Sequence, residues 1–383
     1  VSTVTIETTD FLAAAREFMQ QHILPQANQS ALAGQLPDGL IQQLAARRLL
    51  GTMISQEFGG LGLGYGEYGE LTRLIGYGCS SLRSLLTVHD MVSYAIQKFG
   101  SIAQKQNWLP ALAKGNVIGA FVLTEENQGS SFEQIKTTLT EKNGSYSLSG
   151  NKVWISYGQV ADLLLVFAKL TGDLPVALLV PSDSVGIHIT PIQHALGLSA
   201  SMLAEIHFDD VSILPEQLLG KPGIGLNFIA SQCLTLGRYS VACGSLAIID
   251  ACLQATQEKV LQVRPDGGQL IDFQLISGMV SDMIANRKMA QLLCKNAGEK
   301  LAANFFNAIE DVMIAKYMTA KLATSASNDA LQIHGAAGHR QESSLRRYWH
   351  DAKVNELIEG SNEVMRAVIG KTFIGSYDFN VSG

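Results

Sequence analysis

Residues 350–366 read His350-Asp351-Ala352-Lys353-Val354-Asn355-Glu356-Leu357-Ile358-Glu359-Gly360-Ser361-Asn362-Glu363-Val364-Met365-Arg366. Glu356, Glu359 and Glu363 stand three and four residues apart, which on a helix beginning near Glu356 would place them on one face. One reading is a solvated acidic stripe, with Arg366 pairing Glu363. The other makes Glu359 a general base, because Ile358 and Gly360 flank it, and a carboxylate held against apolar surface has its pKa raised towards the working pH. Spacing alone leaves both open.

Upstream of this tract the helical period persists back to Gly223, through amphipathic stretches at 226–263, 270–300 and 306–333. Before Gly223 the period changes to two. Ser145–Ser149 and Lys152–Ile155 alternate, Asn143-Gly144 and Gly150-Asn151 supply turn residues, and 163–168, 176–180 and 206–208 read as further strands. The N-terminal part is helical again, with Phe11, Leu12, Ala15, Phe18 and Met19 at helical spacing. Leu40, Ile41, Leu44 and Leu49 repeat the pattern, and a helix over 91–99 stops at Gly100. The expected architecture is α+β and mainly α. It comprises an N-terminal helical domain (1–118), a central antiparallel β-domain (119–222) and a C-terminal helical bundle (223–383).

Composition narrows the function. The 383 residues carry 28 Lys+Arg against 34 Asp+Glu, a net charge of −6 without a basic tract, which argues against nucleic acid as a partner. The uninterrupted apolar runs, such as 163–168, fall short of the ~20 residues of a membrane-spanning helix. The start, Val1 to Asp10, lacks the basic and apolar regions of a secretory signal. Cys79, Cys233, Cys243, Cys252 and Cys294 form no CxxC pair, so a cytoplasmic chain without a disulfide framework is expected. The scattered histidines lack metal-ligand spacing, and no metal is expected. Gly64-Tyr65-Gly66-Glu67-Tyr68-Gly69 matches GxGxxG, but a turn rather than a strand precedes it, so it reads as a structural glycine loop.

Two further tracts carry possible chemistry. Phe121-Val122-Leu123-Thr124-Glu125 runs into Gly129-Ser130-Ser131, where backbone N–H groups and hydroxyls suit a phosphate or heteroaromatic edge; an ordinary hydroxyl-rich turn reads the same way. Trp154-Ile155-Ser156 sets an indole beside a hydroxyl, fit to cover a planar cofactor, or equally a core tryptophan beside a surface serine.

The order of these tracts, joined by Leu236-Gly237-Arg238-Tyr239-Ser240-Val241-Ala242, by Leu331-Gln332-Ile333-His334-Gly335 and by 350–366, resembles the acyl-CoA dehydrogenase family of flavoproteins over essentially the whole chain. The resemblance implies FAD and a C-terminal four-helix bundle. Phe121, Leu123 and Thr124 would line the flavin, Gly129 and Ser130 would meet its pyrophosphate, and Trp154 and Ser156 its ring. Arg264, Gln332 and Gly335 would contact FAD of a neighbouring subunit, in a homodimer or homotetramer. Ser361 and Glu363 would also touch the flavin. Arg264 stands one position from the family's arginine, and the phenylalanine that follows in the family is absent here. Glu359 would be the base that takes an α-proton while hydride leaves for the flavin; the family's other base position is Gly237 here. Arg238, Thr235 and Gly360 would serve the substrate, an acyl thioester on CoA or acyl carrier protein. An electron-transfer partner or oxygen would reoxidise the flavin.

Cys79-Ser80-Ser81-Leu82-Arg83-Ser84 and Ile358-Glu359-Gly360-Ser361 are similar to a narrower branch, the acyl-carrier-protein dehydrogenases of hydroxymalonyl and methoxymalonyl extender-unit pathways in polyketide biosynthesis. That likeness implies a short hydroxylated acyl substrate. The alternatives are an ordinary acyl-CoA dehydrogenase making a 2-enoyl-CoA, and a flavin monooxygenase or oxidase of the same fold. An acidic carrier protein would need a basic docking patch, for which Arg346, Arg347 and Lys353 are candidates.

Overall fold

The computed structural model describes residues 8–126, 134–142, 145–171, 173–265 and 267–376. Its contacts divide the chain into two compact units, Val1–Gly237 and Arg238–Gly383.

The first unit opens with helices α1 (Thr8–Phe18), α2 (Ala27–Ala33), α3 (Leu40–Ala46), α4 (Tyr65–Gly78), α5 (Ser80–Phe99) and α6 (Ile102–Ala113). Phe11, Ala15 and Phe18 are buried along α1, as their spacing predicts. The glycine motif is not a loop: Gly64 caps α4, and Gly66 and Gly69 lie within it. Helix α5 ends before Gly100 as expected but begins at Ser80, well before residue 91. Its first half escaped the periodicity because Ser80, Ser81, Arg83, Ser84, Thr87, His89 and Asp90 are polar, yet all are buried.

An eight-stranded sheet follows: β1 (Gly119–Val122), β2 (Thr138–Lys142), β3 (Ser145–Ile155), β4 (Leu163–Leu170), β5 (Leu174–Pro181), β6 (Ile187–Pro191), β7 (Ala204–Ile213) and β8 (Leu218–Leu219). Its order is β6-β7-β3-β2-β4-β5-β8, with β1 on β4. Most pairings are antiparallel, but β1 and β2 both run parallel to β4. Alternation reports which face a residue takes and not which way the neighbouring strand runs, so these two pairings were invisible in sequence. Leu163, Leu164, Leu165, Val166, Phe167 and Ala168 are all fully buried. Leu164 and Val166 pack among the other strands, while Leu163, Leu165 and Phe167 pack among helical residues such as Met91, Ile96 and Leu109. That two-sided burial explains the continuous apolar run.

Gly150-Asn151 is not a turn. β3 runs through it, with register shifts against β7 at Leu148/Gly150 and at Lys152/Ile155. A Cβ at Gly150 would stand 2.7 Å from the Thr137 Cα, so glycine is required by close backbone approach. Asn143 and Gly144 lie outside the described residues. At the other edge of the sheet, the Gln104 amide of α6 donates to the Glu216 and Leu218 carbonyls at 2.8 and 2.9 Å. The same side chain completes the capping box of its own helix with Ser101.

Helix α7 (Ser231–Val260) carries the chain into the second unit, followed by α8 (Gln274–Ala303), α9 (Ile309–His334), α10 (Ser344–Asn355) and α11 (Asn362–Thr372). Within this unit α9 packs against α8, α10 and α11. Arg287 of α8 meets Asp250 of α7 at 2.6 Å, and Asn355 of α10 meets Ser245 of α7 at 3.1 Å. The helical run Gly225–Val260 has the length and apolar character of a membrane span, although polar residues interrupt its apolar runs. Its most apolar window is 89% buried, as in the core helix of a packed protein. All five cysteines are buried and none forms a disulfide.

No helix begins at Glu356. α10 stops at Asn355, α11 starts at Asn362, and the segment between them holds Glu359 at φ +57 and Gly360 at φ +93. The three glutamates therefore share no helical face, and the acidic-stripe reading falls with it.

Candidate active site

The first unit brings two of the predicted tracts together. The Val153 N–H donates to the Thr124 carbonyl at 3.0 Å, and the Lys152 ammonium donates to the Leu123 carbonyl at 2.9 Å. Leu123 and Thr124 are thus tied to the two residues that precede Trp154, while Phe121, on β1, packs on Phe167. Lys152 is fully buried and completes an ion pair with Glu125 at 2.8 Å. Glu125 also accepts from the Thr137 hydroxyl at 2.6 Å, the Thr137 N–H at 3.0 Å and the Lys136 N–H at 2.6 Å. Burial pushes the Glu125 carboxyl up, but the Lys152 charge and these bonds outweigh it and hold the group below its ordinary value. Burial lowers Lys152 to about 8, with Glu125 opposing. This pair was missed in sequence, although Lys152 falls in phase with the buried Leu148.

Trp154 departs from the strand alternation. The bulge between Lys152 and Ile155 gives it φ +61, a rare conformation for a bulky residue, and leaves it 57% exposed. A strand that turns a large aromatic plane outward beside a hydroxyl fits a flat heteroaromatic group. Tyr157, next along the chain from Ser156, donates to the Ser81 carbonyl of α5 at 2.7 Å, which anchors the polar start of α5 against this tract. There Arg83 is buried, its Nη1 donating to Thr87 Oγ1 at 3.2 Å. Thr235, proposed for substrate, is 1% exposed, with its hydroxyl donated to the Ser231 carbonyl at 2.9 Å. Gly129 and Ser130 lie outside the described residues.

The second unit assembles the other set. Arg238 is buried and its Nε donates to the Glu359 carbonyl at 3.0 Å; burial lowers its pKa and the Glu359 charge opposes that. Ser361 caps α11 by accepting from the Val364 N–H at 3.3 Å. Glu363, exposed on the first turn of α11, is held below the usual carboxylate range by its own N–H and then by the Ser361 hydroxyl. Gln332 and Gly335 are exposed where α9 ends, with Gly335 at φ +56. Arg264 lies 5.0 Å above the ring of Phe273, so an aromatic partner comes from further along the chain than the expected spacing. Two of the proposed docking cations are engaged. Arg347 is buried, 3.9 Å from Asp351 and stacked on Tyr348, and Lys353 pairs with Glu356 at 2.7 Å. A basic patch of three free cations is thereby removed.

Comparison with known proteins identifies the class. The N-terminal, middle and C-terminal domains of acyl-CoA dehydrogenase match residues 5–116, 120–211 and 223–374. Rat mitochondrial short-chain specific acyl-CoA dehydrogenase is 32% identical over 367 residues, covering 94% of this chain and 89% of that protein. A glutaryl-CoA dehydrogenase of Mycobacterium smegmatis in complex with FADH2 superposes with a TM-score of 0.90 at 25% identity, over 97% and 96% of the two chains. FkbI, described as serving biosynthesis of the methoxymalonyl extender unit of a polyketide immunosuppressant, superposes with a TM-score of 0.86 at 29% identity, over 94% and 98%. The chain belongs to the acyl-CoA dehydrogenase family, FAD-dependent oxidoreductases that act on acyl thioesters.

Proposed function

We propose that Glu359 is the base that removes the α-proton of a short acyl thioester, and that the acyl group is hydroxylated and carried on acyl carrier protein for polyketide extender-unit synthesis. The observation that carries the base assignment is the hold on Glu359: a left-handed residue in a short interhelical segment, its carbonyl fixed by buried Arg238. When bound, FAD supplies the hydride acceptor. The Glu359 N–H is suited to donate to the thioester carbonyl, stabilising negative charge as the proton leaves. Trp154 would cover the flavin plane and Ser156 bond its edge, with Phe121, Leu123 and Thr124 beside them. Ser361, Glu363, Gln332, Gly335 and Arg264 complete the proposed cofactor contacts, and Arg238, Thr235 and Gly360 those to substrate. Trp154→Ala is expected to weaken FAD binding about tenfold, or ~1.4 kcal/mol, in a flavin titration, without lowering the thermal midpoint of the apoprotein.

The likeness of Cys79-Ser80-Ser81-Leu82-Arg83-Ser84 to the acyl-carrier-protein dehydrogenases of extender-unit pathways supports an acyl group bearing oxygen. Similarity to FkbI points the same way. A cytoplasmic dimer or tetramer belongs to this reading, and exposed Leu275, Ile284 and Leu292 on α8 supply apolar surface for self-association. The test is anaerobic mixing with matched hydroxyacyl thioesters of CoA and of carrier protein, following flavin bleaching. Carrier-protein forms are expected to reduce the flavin at least about tenfold faster, ~1.4 kcal/mol of discrimination. Faster reduction by unsubstituted acyl-CoA would return an ordinary acyl-CoA dehydrogenase. Oxygenated product in air would return the monooxygenase.

A further inference from the structure

Lys316 lies within α9 and is fully buried. Its Nζ donates to the Gly360 carbonyl at 2.7 Å, the Glu356 carbonyl at 3.3 Å and Asn362 Oδ1 at 3.4 Å. The three N–H bonds of an ammonium are thereby used, and every acceptor belongs to the segment 356–362. The Asn362 N–H closes the same segment on the Glu356 carbonyl at 2.8 Å. Between these ties Glu359 and Gly360 are both left-handed. A non-glycine residue there costs about 1–2 kcal/mol and persists only where its surroundings over-determine it.

We propose that Lys316 is a positioning residue: its ammonium closes the 356–362 segment from inside the helical unit, fixes Glu359 in its left-handed conformation and keeps the Glu359 carboxylate ionised for proton abstraction. This rests on Glu359 being the base. Lysine suits the task because a point charge with rotatable donors meets three converging acceptors, whereas the planar fork of arginine does not. The charged groups facing it are Glu359 in the segment, Arg238 on α7, Glu356 at the end of α10 and Glu363 on α11. Lys353 and Arg366 act in turn on Glu363. Burial lowers Lys316 to about 8; the Glu359 charge opposes that fall, while Arg238 adds to it.

The test compares Lys316→Met, Asn362→Ala and Glu359→Gln as FAD-loaded proteins. In Lys316→Met the amides of 356–362 are expected to exchange hydrogen about tenfold faster, a loss of ~1.4 kcal/mol in local opening, with the rest of the bundle unchanged. Flavin reduction by a short acyl thioester should slow about 100-fold, the acidic midpoint of its pH profile should rise by about one unit, and KM should barely move. Asn362→Ala keeps the ammonium and removes one acceptor, so it should give a smaller change of the same kind; it decides the matter if Lys316→Met does not fold. Unchanged exchange and an unchanged pH midpoint in the folded variants overturn the proposal. Glu359→Gln should keep the segment protected while losing reduction. If it reduces flavin normally, the base reading fails and the catalytic part of this proposal fails with it.

Discussion

Glu359→Gln is expected to bind FAD at full occupancy and to lose substrate-driven flavin bleaching by about a thousandfold or more, the effect of deleting a positioned general base. The substitution isolates chemistry from geometry because the segment is held by main-chain oxygens. Arg238 grips the Glu359 carbonyl and Lys316 the carbonyls of Glu356 and Gly360, and none of these bonds involves the carboxylate. A glutamine is nearly isosteric and can stand in the same place. Its amide cannot accept a proton. Anaerobic stopped-flow absorbance with one short acyl thioester gives the answer, and bleaching at the native rate would remove Glu359 from the role.

Breaking the buried pair of the first unit should have the largest effect on stability. Lys152→Met is expected to cost about 3–5 kcal/mol in chemical unfolding, because it leaves a buried carboxylate without its counter-charge. It also removes the bond to the Leu123 carbonyl, so FAD content should fall as the Phe121–Thr124 tract loosens. Joining it with Glu125→Leu should recover a large part of the loss, since no buried charge then remains. No recovery in the double variant would show that the tract depends on the hydrogen bonds rather than on charge balance. The pH dependence has a definite sign. The folded Glu125 carboxyl lies below its ordinary 4.5, so its contribution is full above that value and is lost as pH falls through the folded pKa.

The fold was legible where burial follows a simple period. The helical, β and helical order, the end of α5 at Gly100 and the strand over 163–168 could all be taken from spacing. The candidate base was legible only through the resemblance carried by 350–366, and its spacing misled, because three glutamates at helical intervals turned out to straddle a break between helices. Lys316 left a signal that went unused. Val312, Ala315, Lys316, Thr319, Ala320 and Ala323 follow one helical stripe, and all are buried, so the lysine sits where only apolar or small residues would be expected. What the sequence could not supply was its partners, which lie beyond the far end of another helix. Gly150 misled for a related reason. A glycine demanded by a distant backbone, that of Thr137, looks the same in sequence as a glycine demanded by a turn.

The Gln104 amide has a consequence for how copies of this chain can meet. A sheet that ends in a short strand still offers main-chain acceptors to any extended segment that drifts alongside, which is the usual route to runaway strand addition. Here the carbonyls of Glu216 and Leu218 are already occupied by a side chain anchored in a capped helix. Those two acceptors are withheld from a passing strand, and a Gln104→Leu variant is expected to free them, raising the tendency to aggregate, while also removing the side-chain acceptor of the Ser101 N–H at the helix cap.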